Sequence, residues 1–366
     1  MKIAFALAGL HRVQRGAEVA FMAVASELAR RGNGVTLFGS GPALRDAAYA
    51  FEQSAIVNRE RFERFPKVPV LRGDTNWEEA SFMPGFLRRY RPQDFDVTLT
   101  CSYPFLNWAL RARKHRGYRP RHVFVTQNGD WPVRASNSEY RFFGCDGLVA
   151  INPDYYEAAR DIYPSALIPN GVDLTRFSPG QRRRADFGLP EGVPLVLMVS
   201  ALIESKRVRD GIEAVSKLPG VHLAVAGDGP LRAELRALAD RLMPNRFHNL
   251  TTTAQQMPNL YRSADVFLHL SRDESFGNVY VEAMACGLPS VAWDLPRTRW
   301  IMGDTGILVH DLDQDALVDG LSRALTHAPA TSQQLARAER FSWQTIAGDY
   351  ERFLKEIVAA GPQRPE

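Results

Sequence analysis

Two glutamates, Glu274 and Glu282, stand eight positions apart in "DESFGNVYVEAMACGLPSV", residues 273–291. Glu274 precedes a Phe-Gly-Asn turn. Glu282 falls inside "NVYVEAMA", which reads as a short helix closed by Gly287 and Pro289. The strand "DVFLHL" (265–270) and the loop "SRDESFG" come before it, so this helix begins at the carboxyl end of a strand. Unpaired backbone N–H groups and the helix dipole make such a helix start an anion site. Gly277 leaves room for a ligand to approach the backbone closely. A pyrophosphate bound there would carry a sugar at one end and a ribose at the other. Carboxylates accept hydrogen bonds from hydroxyls, so Glu274 and Glu282 suit one ring each. The plainer alternative is that Glu274 caps the helix and Glu282 is solvated surface.

The elements that must position these residues alternate along the whole chain. "KIAFALAG" is a near-continuous apolar strand, followed by a helix over 17–31 with Ala17, Ala20, Phe21, Val24 and Leu28 on one face. Apolar runs recur at "VTLF", "DVTLT", "HVFVT" and "GLVAI". Strands without polar alternation, separated by helices, predict a parallel sheet covered on both faces. After a polar, Gly-, Pro- and Arg-rich stretch the alternation restarts at "PLVLMVS", "VHLAVAG", "DVFLHL" and "PSVAW". The expected organisation is an α/β amino-terminal domain over 1–174, a linker over 175–193 and a second doubly wound domain over 194–340. A last helix over 342–359 carries Trp343, Ile346, Tyr350, Phe353, Leu354 and Ile357 at helical spacing, an apolar face that needs a partner surface. The tail 360–366 is expected to be disordered.

Length and composition agree with two soluble domains: 366 residues, 45% hydrophobic and 23% charged. The opening "MKIAFALAGL" reads as a buried strand rather than a secretory signal, because an amphipathic helix pattern follows directly. Three cysteines without short spacing indicate neither disulfides nor a metal knuckle, and a cytoplasmic location is expected. The net charge is +4, and "RARKHRGYRPRH" (111–122) holds six Arg or Lys and no acid. Such a patch suits peripheral contact with anionic lipid at the inner membrane face or an acidic substrate; a solvated face is equally consistent. No nucleic-acid module is present.

Glu-x7-Glu with Phe-Gly between and "EAMACGLPSV" after resembles the donor-site signature of glycosyltransferase family 4, retaining enzymes of the GT-B fold. "IPNGVDLTRFSP" (168–179), "VAGDGPLRAEL" (225–235) and "TGILVHDLDQDALVDGLSRAL" (305–325) resemble its other hallmarks, and "RGAEVAFMAVASELARRG" its first glycine loop and helix. The resemblance covers essentially the whole chain. It implies two Rossmann-like domains facing across a cleft, with the last helix crossing back to the first. It also implies a nucleotide-sugar donor and a saccharide, lipid-linked or small-molecule acceptor. Glu282 would hold ribose hydroxyls and Glu274 donor-sugar hydroxyls, with Phe276, Gly277, Asn278 and Val279 lining the sugar and phosphates. Lys206, in "ALIESKRV", matches the lysine that neutralises the diphosphate. Gly16 would let the first domain approach the β-phosphate and acceptor. The domains are expected to close on the donor, and 42–92 is the natural acceptor lid.

Two positions depart from the family pattern. Ala201 stands where a second diphosphate cation, an arginine, is common; Arg207, Arg12 and Arg15 are the candidate substitutes. Gln127 and Asn128, in "HVFVTQNGDWP", stand where many relatives have a histidine near the reacting carbon. Amides orient hydroxyls but are not general bases, which front-face attack tolerates because the leaving phosphate can take the acceptor's proton. Asp130 and Trp131 are further acceptor candidates. With no Asp-x-Asp motif, no metal or other cofactor is expected, Lys206 and the helix start standing in for a divalent ion. Two alternatives remain at this stage. One is a sugar-nucleotide epimerase or hydrolase on the same fold, the other a non-catalytic nucleotide-binding subunit.

Overall fold

The computed structural model describes all residues except 69, 72, 113–117, 130–139, 141, 311, 328–330 and 361–366, and the backbone alone at 112. Half of the basic residues of 111–122 (Arg113, Lys114 and Arg116), Asp130, Trp131 and nearly all of the tail therefore lie outside the described residues. The chain divides into two compact units, Met1–Asn170 with Trp343–Glu366, and Gly171–Ser342.

In the first unit the described residues form a seven-stranded sheet in the order β3-β2-β1-β4-β5-β6-β7. The strands are β1 Lys2–Ala6, β2 Gly34–Gly39, β3 Ala50–Gln53, β4 Val97–Thr100, β5 Arg121–Val125, β6 Gly147–Ala150 and β7 Ser165–Leu167. Every pairing is parallel. β4 and β6 are buried at every residue, which is why their sequences lack alternation. The first helix runs Gly16–Arg30, one residue earlier at each end than its apolar face suggests. The stretch 42–92 contributes core as well as surface. Within it, helix Asp74–Arg89 buries Phe82 and Phe86, which with Tyr90 recur every fourth position and pack around Phe38 and Phe95. His122, buried in β5, meets Thr98 Oγ1 at 3.2 Å and Asn107 Nδ2 at 3.3 Å, a satisfied core histidine.

The last helix, Trp343–Ala359, belongs to the first unit. It lies so close to β6 that a Cβ added at Gly147 would sit 2.7 Å from Ile357 Cδ1. Glu351 accepts from Arg31 Nε at 2.9 Å and Asn33 Nδ2 at 3.3 Å, tying this helix to the end of the first one. Trp343 and Tyr350 are buried.

In the second unit the described residues form a six-stranded parallel sheet in the order β10-β9-β8-β11-β12-β13. Its strands are β8 Leu195–Val199, β9 His222–Ala226, β10 Phe247–Leu250, β11 Val266–His269, β12 Ser290–Trp293 and β13 Ile307–Val309. The division between units falls after Asn170 rather than after 174 because Val172 donates to Phe341 O at 2.7 Å and bridges to Ser342. The segment 175–193 is packed into the second unit and is no loose linker. Phe177 lies edge-on to Tyr261, and buried Arg184 donates to Ser263 O, Pro190 O, Val193 O and Asp265 Oδ2. A guanidinium with five donors can hold three carbonyls and a carboxylate oxygen at once, two of the carbonyls from the irregular stretch itself. Among the described residues no helix is long and apolar enough to cross a membrane.

Candidate functional site

Both sheets reverse strand order at their centre, between β1 and β4 and between β8 and β11. Ligands of open α/β sheets bind outside the carboxyl ends of the strands at such a switch point. In the second unit, β8 leads into Ala201 and the Glu204–Lys206 turn, and β11 into the loop carrying Glu274. The Gly-Asp-Gly-Pro turn braces the first of these. A Cβ at Gly227 would lie 1.9 Å from Ser200 O and one at Gly229 2.5 Å from Leu202 O, so both glycines permit direct backbone packing. Leu202 N donates to Asp228 O at 2.9 Å, and Leu231 N to Leu202 O at 3.1 Å.

The structure brings Lys206 and Glu274 together. Lys206 Nζ lies 2.5 Å from Glu274 Oε1 and 3.3 Å from Ser271 Oγ, with the Lys206 and Glu274 side chains 18% and 21% exposed. His269 Nε2 lies 2.9 Å from the same Oε1. Burial by itself would raise the Glu274 carboxyl, but hydrogen bonds and charge from His269 and Lys206 outweigh it and hold it at about 2. Glu274 is thus an ionised, partly open carboxylate beside a cation. It does not cap the helix that follows.

That helix runs Asn278–Ala285, and its N-cap residue, Gly277, supplies no side-chain cap. Gly277, its N-cap, has φ +96°, and a Cβ there would lie 2.8 Å from Tyr280 Cδ2. Position 277 therefore requires glycine on both conformational and steric grounds. Phe276 is buried, edge-on to Trp300 and close to Phe341, so its side chain anchors the loop; Asn278 and Val279 are half-buried at the helix start.

Glu282 is half-buried, and its Oε2 accepts from buried Tyr261 Oη at 2.8 Å. Burial pushes it up to about 7, against the lowering effect of the Tyr261 hydrogen bond and the Arg176 charge. A solvated surface role does not describe it.

In the first unit, Gly16 opens the first helix and is exposed. Buried Gln127 forms an amide pair with Asn170: its Nε2 donates to Asn170 Oδ1 at 2.5 Å and its Oε1 accepts from Asn170 Nδ2 at 3.1 Å. Exposed Asn128 donates to Cys101 O at 3.4 Å. Arg207, a candidate for the cation absent at Ala201, is held by Asp210. Arg12 is held by Glu78, Ser40 and Asn58. Asp294 is engaged by Arg299. Among the described residues no cluster of three or more His, Cys, Asp or Glu could hold a metal ion.

Sequence reasoning missed His269, Ser271 and Tyr261. The signal for His269 was present: a titratable residue at the carboxyl end of the otherwise apolar run "DVFLHL".

Comparison with known proteins decides the family. Residues 14–176 match the model described as Glycosyltransferase Family 4, and residues 181–340 the one described as Glycosyl transferases group 1. The chain belongs to glycosyltransferase family 4. The D-inositol 3-phosphate glycosyltransferase of Mycolicibacterium smegmatis is 35% identical over 53% of this chain and 48% of its own length. The chain thus spans about half of that relative. The Rhodococcus erythropolis protein of the same name is 27% identical over 94% of the chain and 87% of its own length. The lipopolysaccharide core biosynthesis glycosyltransferase LpsE of Rhizobium meliloti is 28% identical over 67% and 71%. Among solved structures, sucrose-phosphate synthase of Thermosynechococcus elongatus superposes with TM-score 0.74 at 19% identity, covering 98% of this chain and 100% of that one. Anabaena HepE in complex with UDP-glucose also gives 0.74 at 19% identity, over 97% and 100%. At these identities the likeness establishes the fold, which is that of GT-B family 4 proteins.

Proposed function

We propose that this family 4 protein transfers a sugar from a nucleoside-diphosphate donor to an acceptor hydroxyl, with retention at the anomeric carbon and without a metal. The observation that carries the reading is an ionised Glu274 beside Lys206 at the start of a helix whose N-cap is glycine, at the sheet's switch point. The diphosphate takes the helix start and Lys206; Glu274 accepts from the sugar hydroxyls and Glu282 from the ribose. The anomeric carbon–phosphate oxygen bond breaks as the bond to the acceptor oxygen forms on the same face. The acceptor's proton passes to the departing phosphate oxygen, whose growing charge Lys206 stabilises. The Gln127–Asn170 amide pair shapes the wall of the first unit, and Asn128 is its exposed polar group. HepE's complex with UDP-glucose and the names of the inositol phosphate and lipopolysaccharide enzymes support a nucleotide sugar and a hydroxyl-rich acceptor. Peripheral work at the inner membrane face fits the basic composition of 111–122.

The test is transfer from UDP-glucose, GDP-mannose and ADP-glucose to inositol phosphate and saccharide acceptors, with anomeric configuration read by NMR. Glu274→Ala should cut transfer by about a hundredfold or more. Equal rates for variant and wild type would show that the donor-sugar assignment is wrong.

A further inference from the structure

Lys206 and Glu274, both read as donor ligands, neutralise one another at 2.5 Å. A diphosphate that draws Lys206 away strips Glu274 Oε1 of one donor just when the carboxylate must be aimed at the sugar. A second donor is already in place. His269 Nε2 lies 2.9 Å from that oxygen, and since a carboxylate only accepts, Nε2 carries the hydrogen.

The two donors differ in rigidity. Lys206 sits at the end of a short turn on a flexible stem. His269 is the last residue of β11, in register with Ala292 of β12, and is 2% exposed. Its ring is met edge-on by Tyr280 at 5.1 Å and lies parallel to Phe267 at 6.0 Å. Its other nitrogen, Nδ1, is buried and has no hydrogen-bond partner among the described residues. A core histidine serving only the fold would have both nitrogens engaged, as His122 does. The ring's polar contact is with Glu274.

We propose that His269 is a positioning residue for the donor sugar, holding Glu274 Oε1 while Lys206 transfers to the diphosphate and Oε2 turns to the sugar hydroxyls. This rests on the reading of Glu274 and Lys206 as donor ligands. Charged and titratable groups facing Glu274 are Lys206 from the Glu204–Lys206 turn, His269 from β11 and Tyr280 from the following helix. Arg272 and Asp273 flank it on its own loop.

The experiment measures, by calorimetry on the full chain, affinity for UDP-glucose, GDP-mannose and ADP-glucose against the matching nucleoside diphosphates. The ratio isolates the sugar's contribution. His269→Phe and His269→Leu, checked for folding by thermal melts, should lower that ratio about tenfold at pH 7, as for loss of a hydrogen bond to a charged group. The diphosphates alone should bind as to wild type. His269→Gln, whose amide nitrogen can replace Nε2, should restore the ratio to within about threefold. Without His269 the Glu274 carboxyl rises, so the apolar variants should lose the remaining sugar contribution between pH 6 and 4 while wild type keeps it. A purely structural role would lower the melting temperature and leave the ratio and its pH profile unchanged. If Glu274→Ala abolishes the sugar contribution while His269→Phe and His269→Leu retain it at both pH values, the inference is overturned and the donor reading stands. If Glu274→Ala also retains it, or wild type takes none of the three sugars, both fall.

Discussion

At the scale of single residues, the two glutamates that look alike in the sequence occupy opposite electrostatic states. Glu274 is held at about 2 by two donors on one oxygen, whereas Glu282, with a neutral phenol as its partner, is pushed up to about 7. A carboxyl with a raised pKa carries its proton below that value and releases it when hydroxyls or charge favour the anion. Donation from a ribose would favour the anion. Binding of a nucleotide sugar, whose diester phosphates do not titrate near pH 6.5, should therefore release protons at that pH, visible as a dependence of the calorimetric heat on buffer ionisation. Glu282→Gln should abolish that dependence. Unchanged proton release in the variant would mean that Glu282 does not meet the ligand.

At the scale of elements, the helix Asn278–Ala285 depends on one backbone position. Gly277 holds φ +96° with the Tyr280 ring 2.8 Å from where a Cβ would stand. Gly277→Ala should cost about 1–3 kcal/mol in urea unfolding, since a left-handed conformation and a rigid ring oppose it together. Donor binding should weaken further, because relieving the clash moves the helix start. A variant as stable as wild type would show that the ring yields freely. The Gly-Asp-Gly-Pro turn works in the same way at a distance from the chemistry: its glycines let two backbones touch, and so place the strand end from which Lys206 follows. The motif was legible in the sequence as a family hallmark. Its physical task, bracing Ser200–Leu202, was not, because close approach between segments 27 residues apart has no local signature.

At the scale of the molecule, each unit has its own sheet and core, and the chain leaves the first unit and returns to it through the last helix. Leu354 in that helix is fully buried. Leu354→Ala should destabilise the first unit by about 2–5 kcal/mol, the usual range for a buried leucine. Because the second unit has a separate core, its unfolding transition should stay where it is in a calorimetric scan. A single transition shifted as a whole would mean that the units unfold together.

Alternation of apolar runs with amphipathic stretches was enough to establish two parallel α/β units, since burial on both faces of a sheet is written directly in side-chain type. Spacing made Glu274, Gly277 and Glu282 candidates, and their roles came from the resemblance to the family signature. What only the tertiary structure decided is which groups meet. His269 and Lys206 reach one oxygen of Glu274 from different strand ends, and Tyr261 reaches Glu282 from a different helix. Val172 and Arg184 draw a polar, linker-like stretch into the second unit. Such meetings depend on strand order and on carbonyls and carboxylates tens of residues away. Local sequence pattern carries no record of either.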